Sequence, residues 1–144
     1  MIKNNLDADT VKGYLESAMH RLEFPYVWEN GFAVFIAGIG SRRWKMAIKC
    51  LDGRIALFAA YPRQSPIESR EKMLEILNKF SAASAFGSYF LLETGQGILT
   101  IYRCDVIIPD EYSIFECIEC GLKYSAAGLY SNWENLHDAA NRGR

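Results

Sequence analysis

Apolar and polar residues repeat with two different periodicities along the chain, and these periodicities predict a helix and a strand. Residues 9–22 carry apolar side chains at helical spacing, and Asp7 or Asp9 can accept a backbone N–H at the helix start. Residues 42–51 alternate between apolar and polar side chains instead, which is typical of a strand with one buried side. The apolar side of this strand carries Trp44, Met46, Ile48 and Cys50.

Dipeptides that favour tight turns divide the strand region into hairpins. Asn30-Gly31 and Asp52-Gly53 tolerate the positive φ that a two-residue hairpin turn needs. We therefore expect four consecutive strands that form an antiparallel meander. A glycine-rich turn at residues 95–97 then separates two later strands, which we place at residues 88–93 and 97–108.

Two further helices are predicted from capping boxes, in which a serine precedes a glutamate by three residues. Ser65 and Glu68 form one such pair, and Ser113 and Glu116 form the other, whose helix continues to about Tyr130. The expected order is α-β-β-β-β-α-β-β-α. This order indicates an α+β fold with a mainly antiparallel sheet.

Length and composition indicate an ordinary globular protein. The chain has 144 residues, of which 50% are hydrophobic and 23% charged. We expect a single domain over residues 1–131, followed by a tail over residues 132–144 that can form a short helix and then frays. The net charge of −1 gives no cationic surface for nucleic acid.

Hydropathy indicates where the protein resides. No segment reaches the roughly 18 apolar residues that a membrane span requires, and the first residues lack the apolar core of a secretory signal. We therefore expect no membrane association and a cytoplasmic location. In that compartment the four cysteines are expected to be reduced.

Cys117 and Cys120 have the spacing that metal sites and thiol–disulfide exchangers use. Both lie inside the predicted third helix beside apolar residues, where cysteine behaves as a small hydrophobic side chain. A structural zinc site needs four ligands, and no second pair is present in the sequence. Glu116 and Glu119 would also raise a thiol pKa. Packing is the favoured interpretation, with redox chemistry as the alternative, and no metal or cofactor is expected.

The sequence contains no recognisable catalytic motif. Neither His20 nor His137 is part of a pattern that brings a nucleophile, a base and an orienting group together. Residues 37–43 contain two glycines but lack the lysine and hydroxyl pair that ends a phosphate-binding loop. A turn between strands is therefore expected there, and we predict no catalytic residue.

Two of the predicted strands, residues 32–37 and residues 55–60, are apolar on both sides. An antiparallel sheet with one wet face should instead alternate apolar and polar residues. Both faces of the sheet should therefore be covered, either by helices alone or by helices on one face and a partner on the other. The side chains predicted to contact a partner are Phe35, Trp44, Phe58, Tyr61, Tyr102 and Arg103.

The chain resembles the YbjN-like family, bacterial proteins described as proposed regulators of sensory transduction. The likeness lies in the meander of residues 31–62, in the helix end at residues 74–84, and in residues 86–110, where Tyr102 and Arg103 are adjacent. It implies a fold similar to type three secretion chaperones. These are small α+β proteins that dimerise and bind extended segments of partner proteins without catalysis.

Two functions are compatible with these observations. The first is a non-enzymatic protein-interaction module, chaperone-like or regulatory, that acts as a homodimer and binds another protein. The second is a small-molecule-binding protein or small enzyme, with an arginine among tyrosines that would bind a carboxylate or phosphate. Its cleft would lie near Trp44, Tyr61, Tyr102 and Arg103. Pairing of Arg103 with the nearby Asp105 is the simpler expectation, which favours the first function.

Overall fold

The computed structural model describes residues 6–83 and 87–142. Its six strands form one antiparallel sheet in the order β1-β2-β3-β4-β6-β5. The strands are β1 (Val27–Glu29), β2 (Phe32–Ile39), β3 (Arg42–Leu51), β4 (Arg54–Ala60), β5 (Gly87–Thr94) and β6 (Gly97–Ile107). The helices are α1 (Ala8–Arg21), α2 (Arg70–Ala83), α3 (Ile114–Ser131) and α4 (Trp133–Arg142). The predicted α+β class and element order are confirmed.

Tight turns set the register of the meander, as the dipeptides predicted. Asn30 and Gly31 have φ values of 52° and 85°, and Gly53 has a φ of 66°. Each lies in the left-handed region that a two-residue hairpin turn requires. The strands on either side of these turns then pair without a shift, from Glu29 with Phe32 onward.

The start of α1 also follows the prediction. The Asp7 carboxylate accepts a hydrogen bond from the Thr10 backbone N–H at 2.8 Å. Hydrogen bonds from the Thr10 side chain and backbone lower the pKa of Asp7, because they favour its charged form. Residues of the predicted apolar stripe are buried in the core, among them Val11, Leu15 and Met19.

Both predicted capping boxes are wrong. Ser65 exchanges backbone hydrogen bonds with Ile98 at 2.9 and 2.8 Å, so it belongs to the sheet and α2 begins only after a 3₁₀ turn at Ile67–Ser69. Before α3, the Asp110 carboxylate accepts the backbone N–H of Ser113 at 2.9 Å. Ser65 therefore pairs with a distant strand and does not cap α2. Asp110 takes the capping role before α3 that the pattern assigns to Ser113.

All four helices pack against the same side of the sheet, which we call the helix side. Strand residues that pair directly across the sheet share a side, so the register assigns each contact to one face. The contacts are Lys12 of α1 with the Trp28 ring (4.5 Å), Phe80 of α2 with Tyr89 (5.8 Å), Gly121 of α3 with Leu57, and Trp133 of α4 with Trp44 (5.8 Å). The four strand residues lie on one face by register.

The C-terminal helix α4 adds to this core. Leu136 is buried, and the Trp133 ring lies 4.9 Å from the Tyr61 ring. His137 Nδ1 lies 3.2 Å from the Tyr61 hydroxyl. His137 therefore has a structural contact with the sheet.

Candidate protein-binding surface

The side of the sheet opposite the helices, which we call the open face, is apolar along most strands. Its apolar residues are Phe32, Val34, Ile36, Ala47, Phe58, Phe90, Leu92 and Ile101. Ile36 is 64% exposed and Leu92 is 48% exposed. Among the described residues, the helix contacts lie on the other face, so Ile36 and Leu92 meet solvent, whereas Ile101 is buried. A surface of this kind is typical of sites that bind another polypeptide.

Three phenylalanines form a diagonal row across the open face. The ring of Phe58 lies 5.8 Å from that of Phe32 and 6.3 Å from that of Phe90, with near-perpendicular planes in both pairs. The row forms part of a shallow groove of about 520 Å³ that also includes Val34 and Ile101. Edge-to-face contacts between these rings therefore shape the groove within a single chain.

Charged side chains surround this groove. Arg103 donates two hydrogen bonds to Asp105, at 2.8 and 3.1 Å, which confirms the expected pairing. These bonds raise the pKa of Arg103, because they favour its charged form. The Arg103 guanidinium also lies 5.2 Å from the Phe58 ring centre, and Lys49 lies over Phe32 at 5.5 Å. Cations therefore cover the phenylalanine ring faces at the groove margin.

The structure divides the six predicted partner-binding residues between the two faces. Phe58 and Arg103 lie on the open face. The other four lie on the helix side and are no more than 5% exposed: Phe35, Trp44, Tyr61 and Tyr102. Tyr61 contacts Trp133 of α4 and Tyr102 lies against Gly128 of α3, whereas Phe35 and Trp44 line an apolar cleft beside β2.

The predicted ligand cleft is also wrong. Tyr102 and Arg103 are consecutive strand residues, so their side chains point to opposite faces of the sheet. The Trp133 ring packs on both Trp44 and Tyr61 and fills the space where the cleft was expected. The four residues therefore do not converge.

The two cysteines of the third helix have different environments. Cys117 is half-buried, and its thiol donates a weak hydrogen bond to the Ile107 carbonyl at 3.7 Å. Burial, with Cys120, Asp110 and Glu116 as further causes, raises the pKa of Cys117. Cys120 is exposed, so its predicted packing is wrong, because it lies on the solvent side of α3. Over the part of the chain that the structure describes, no three potential metal ligands cluster.

Sequence reasoning missed most of the open face. Phe32, Phe90 and Leu92 were not predicted as site residues, although strand residues 32–37 already showed apolar side chains on both sides. Residue type identifies large apolar side chains, whereas membership of the site depends on which face of the sheet each residue occupies. Alternation along the strand places Phe58 and Tyr61 on opposite faces of the sheet. The sequence does not show which of the two faces the helices cover.

Comparison with solved structures supports this fold. No family model matches the chain, and no curated protein matches it. Among solved structures, YbjN from E. coli, described as a proposed transcription regulator, superimposes with a TM-score of 0.67 at 13% identity. The match covers 88% of this chain and 93% of that one. The chain has a YbjN-like fold.

The YbjN-like arrangement confirms the resemblance drawn from the meander and the later strand pair. At 13% identity it establishes the fold alone. Within the described ranges, no helix of this YbjN-like fold combines the length and apolarity that crossing a bilayer requires.

Proposed function

We propose that this chain is a non-enzymatic protein-interaction module, chaperone-like or regulatory, that acts as a homodimer through its open face. The observation that carries the proposal is the apolar open face on a sheet whose helices all pack on the other side. Burial of such a surface against a polypeptide is favourable, at about 25 cal/mol for each Å² removed from water.

A second copy of the chain is the occupant that we propose for this face. The phenylalanine row crosses the middle of the sheet, so a two-fold rotation can lay one row against its copy. The surrounding charges have both signs: Lys45 lies 3.9 Å from Glu29, and Arg54 lies 3.5 Å from Asp105. A rotated copy can therefore place its acidic side chains against lysine and arginine of the first.

Light scattering on a matched pair of variants tests this function. Leu92→Glu places a charge on the open face, and burial of an unpaired charge in an apolar interface is costly. Tyr112→Glu places the same charge at a residue that is 88% exposed and lies outside the open face. We expect the mass of two chains for the wild type and Tyr112→Glu, and of one chain for Leu92→Glu. A wild-type monomer at high concentration would contradict the homodimer.

A further inference from the structure

The outer edge of β2 is only partly paired. The short strand β1 covers its first half, from Glu29 opposite Phe32 to Val27 opposite Val34. β2 continues for five more residues and pairs on its inner side with β3 as far as Ile39. The second half of the outer edge, which we call the β2 edge (Ile36–Ile39), has no neighbouring strand among the described residues.

The turns at both ends of β2 determine which backbone groups point outward. Residues that flank a two-residue hairpin turn exchange both of their backbone hydrogen bonds. Ile39 flanks the turn to β3. Ile39, Ala37 and every second residue before them in β2 therefore form their backbone hydrogen bonds with β3. Ile36 and Gly38 lie between these residues and direct N–H and C=O groups to the outer side. Within the described part of the chain, no turn, loop or strand bond engages these four groups.

An apolar cleft lies beside the β2 edge on the helix side. Its volume is about 360 Å³. Trp44 and Met46 form its floor, and Leu122 of α3 and Phe24 line its walls. Since residues directly opposite in a sheet share a face, a side chain placed opposite Ala37 would enter this cleft.

The charge at the cleft also limits what can occupy it. Its two charged residues, Glu119 and Lys123, pair with each other at 3.5 Å. An apolar side chain therefore enters without leaving a charge unpaired, whereas a charged side chain would lose water without gaining a partner.

We propose that the β2 edge binds an extended segment of a partner protein, which adds to the sheet as a short antiparallel strand in line with β1. Ile36 and Gly38 supply the backbone hydrogen bonds, and the cleft takes one apolar side chain of the segment opposite Ala37. The proposal rests on the role in protein binding proposed above, but it uses a different surface from the open face. The homodimer and the partner segment can therefore bind at the same time.

The test compares two substitutions at one residue. Gly38→Pro removes the outward N–H and fills the edge with a ring, whereas Gly38→Ala keeps the N–H. Either new Cβ would overlap the side chain of Arg43, which is exposed and able to move, so the two variants share this cost. The probe is a pool of seven-residue peptides in which threonine alternates with valine, leucine, methionine or phenylalanine. The readout is amide hydrogen exchange by NMR.

In the free protein we expect the amides of Ile36 and Gly38 to exchange faster than those of Phe35 and Ala37, because only the latter pair with β3. Peptide binding should slow exchange at Ile36 and Gly38. Gly38→Pro should weaken binding about tenfold or more relative to Gly38→Ala. The proline removes one backbone hydrogen bond, and its ring keeps the peptide backbone away from the β2 edge. Equal affinities for these two variants, or no added protection from any peptide of the pool, would overturn the proposal.

Leu92→Glu separates this proposal from the homodimer. The substitution lies at the opposite end of the sheet, so we expect it to leave peptide affinity unchanged while it abolishes dimerisation. If Leu92→Glu abolishes peptide binding and Gly38→Pro does not, the segment binds the open face and the β2 edge proposal fails. In the Leu92→Glu variant, protection of Ile36 that rises with protein concentration alone would assign the edge to a second copy and also overturn the proposal.

Discussion

At the scale of single residues, burial rather than spacing determines what the thiols can do. Cys117 and Cys120 are three residues apart, yet one is half-buried and the other exposed. Cys50 lies on the buried side of β3, and burial raises its pKa to about 11. Burial also raises the pKa of Cys104. Only a thiolate attacks an alkylating reagent or a disulfide, so the raised pKa slows the reaction of Cys50 and Cys104 at neutral pH.

Alkylation rates test this assignment. With iodoacetamide at pH 8 we expect Cys120 to be modified first, and Cys50 only slowly, because about one Cys50 in a thousand is then a thiolate. Its rate should rise with pH up to about 11, while the protein stays folded. Peptide mass spectrometry after timed quenching measures each rate. Modification of Cys50 as fast as that of Cys120 would show that the thiol is not buried as described.

The start of α3 depends on Asp110, although the serine and glutamate pattern predicts Ser113. The hydroxyl of Ser113 donates to the Asp110 carboxylate at 3.0 Å, so the serine supports the cap and does not form it. We expect Asp110→Ala to lower the free energy of unfolding by about 1 kcal/mol, as loss of an N-cap does. Ser113→Ala should cost clearly less. Urea unfolding compares the two, and the reverse order would restore Ser113 as the cap.

At the scale of elements, glycines let α3 approach the sheet. A Cβ at Gly121 would lie 2.9 Å from Leu57, and one at Gly128 would overlap the buried ring of Tyr102. Neither side chain can move freely, because interiors are closely packed. The helix therefore lies as near to β4 and β6 as its backbone allows.

Two helical glycines offer a matched test of this packing. Gly128→Ala should destabilise the protein by about 1–3 kcal/mol, because the new methyl group overpacks against Tyr102. Gly13 of α1 is exposed and has no neighbour within 4 Å of a new Cβ, so Gly13→Ala should stabilise by about 0.5–1 kcal/mol through helix propensity. Denaturant unfolding measures both. A neutral Gly128→Ala would mean that α3 packs less closely.

The elements were predictable where a local pattern determines them. Asn30-Gly31 specifies a turn by its own backbone preferences, and the alternation through β3 specifies a strand. Ser65 shows that a local pattern can fail. The sequence around it matches a capping box, but its backbone pairs with Ile98, 33 residues further along the chain. Such a pairing depends on how strands meet in the sheet, which no window of neighbouring residues contains.

At the scale of the whole molecule, the proposed function rests on the distribution of the helices over the sheet. The doubly apolar strands predicted that both faces are covered, but two arrangements were possible. The structure places all four described helices on one side of the sheet. They contact, in the order α1 to α4, Trp28, Tyr89, Leu57 and Trp44. The side a helix takes depends on how its connecting segments cross the sheet, and composition and periodicity do not encode that choice.

Hydroxyl-radical footprinting across a concentration series tests the central claim most directly, namely that a second copy covers the open face. Phe90 and Leu92 report on that face, and Tyr112, 88% exposed and outside it, is the internal reference. From nanomolar to high micromolar protein, we predict that oxidation of Phe90 and Leu92 falls while that of Tyr112 stays constant. Oxidation of all three residues that does not change over this range would contradict the account.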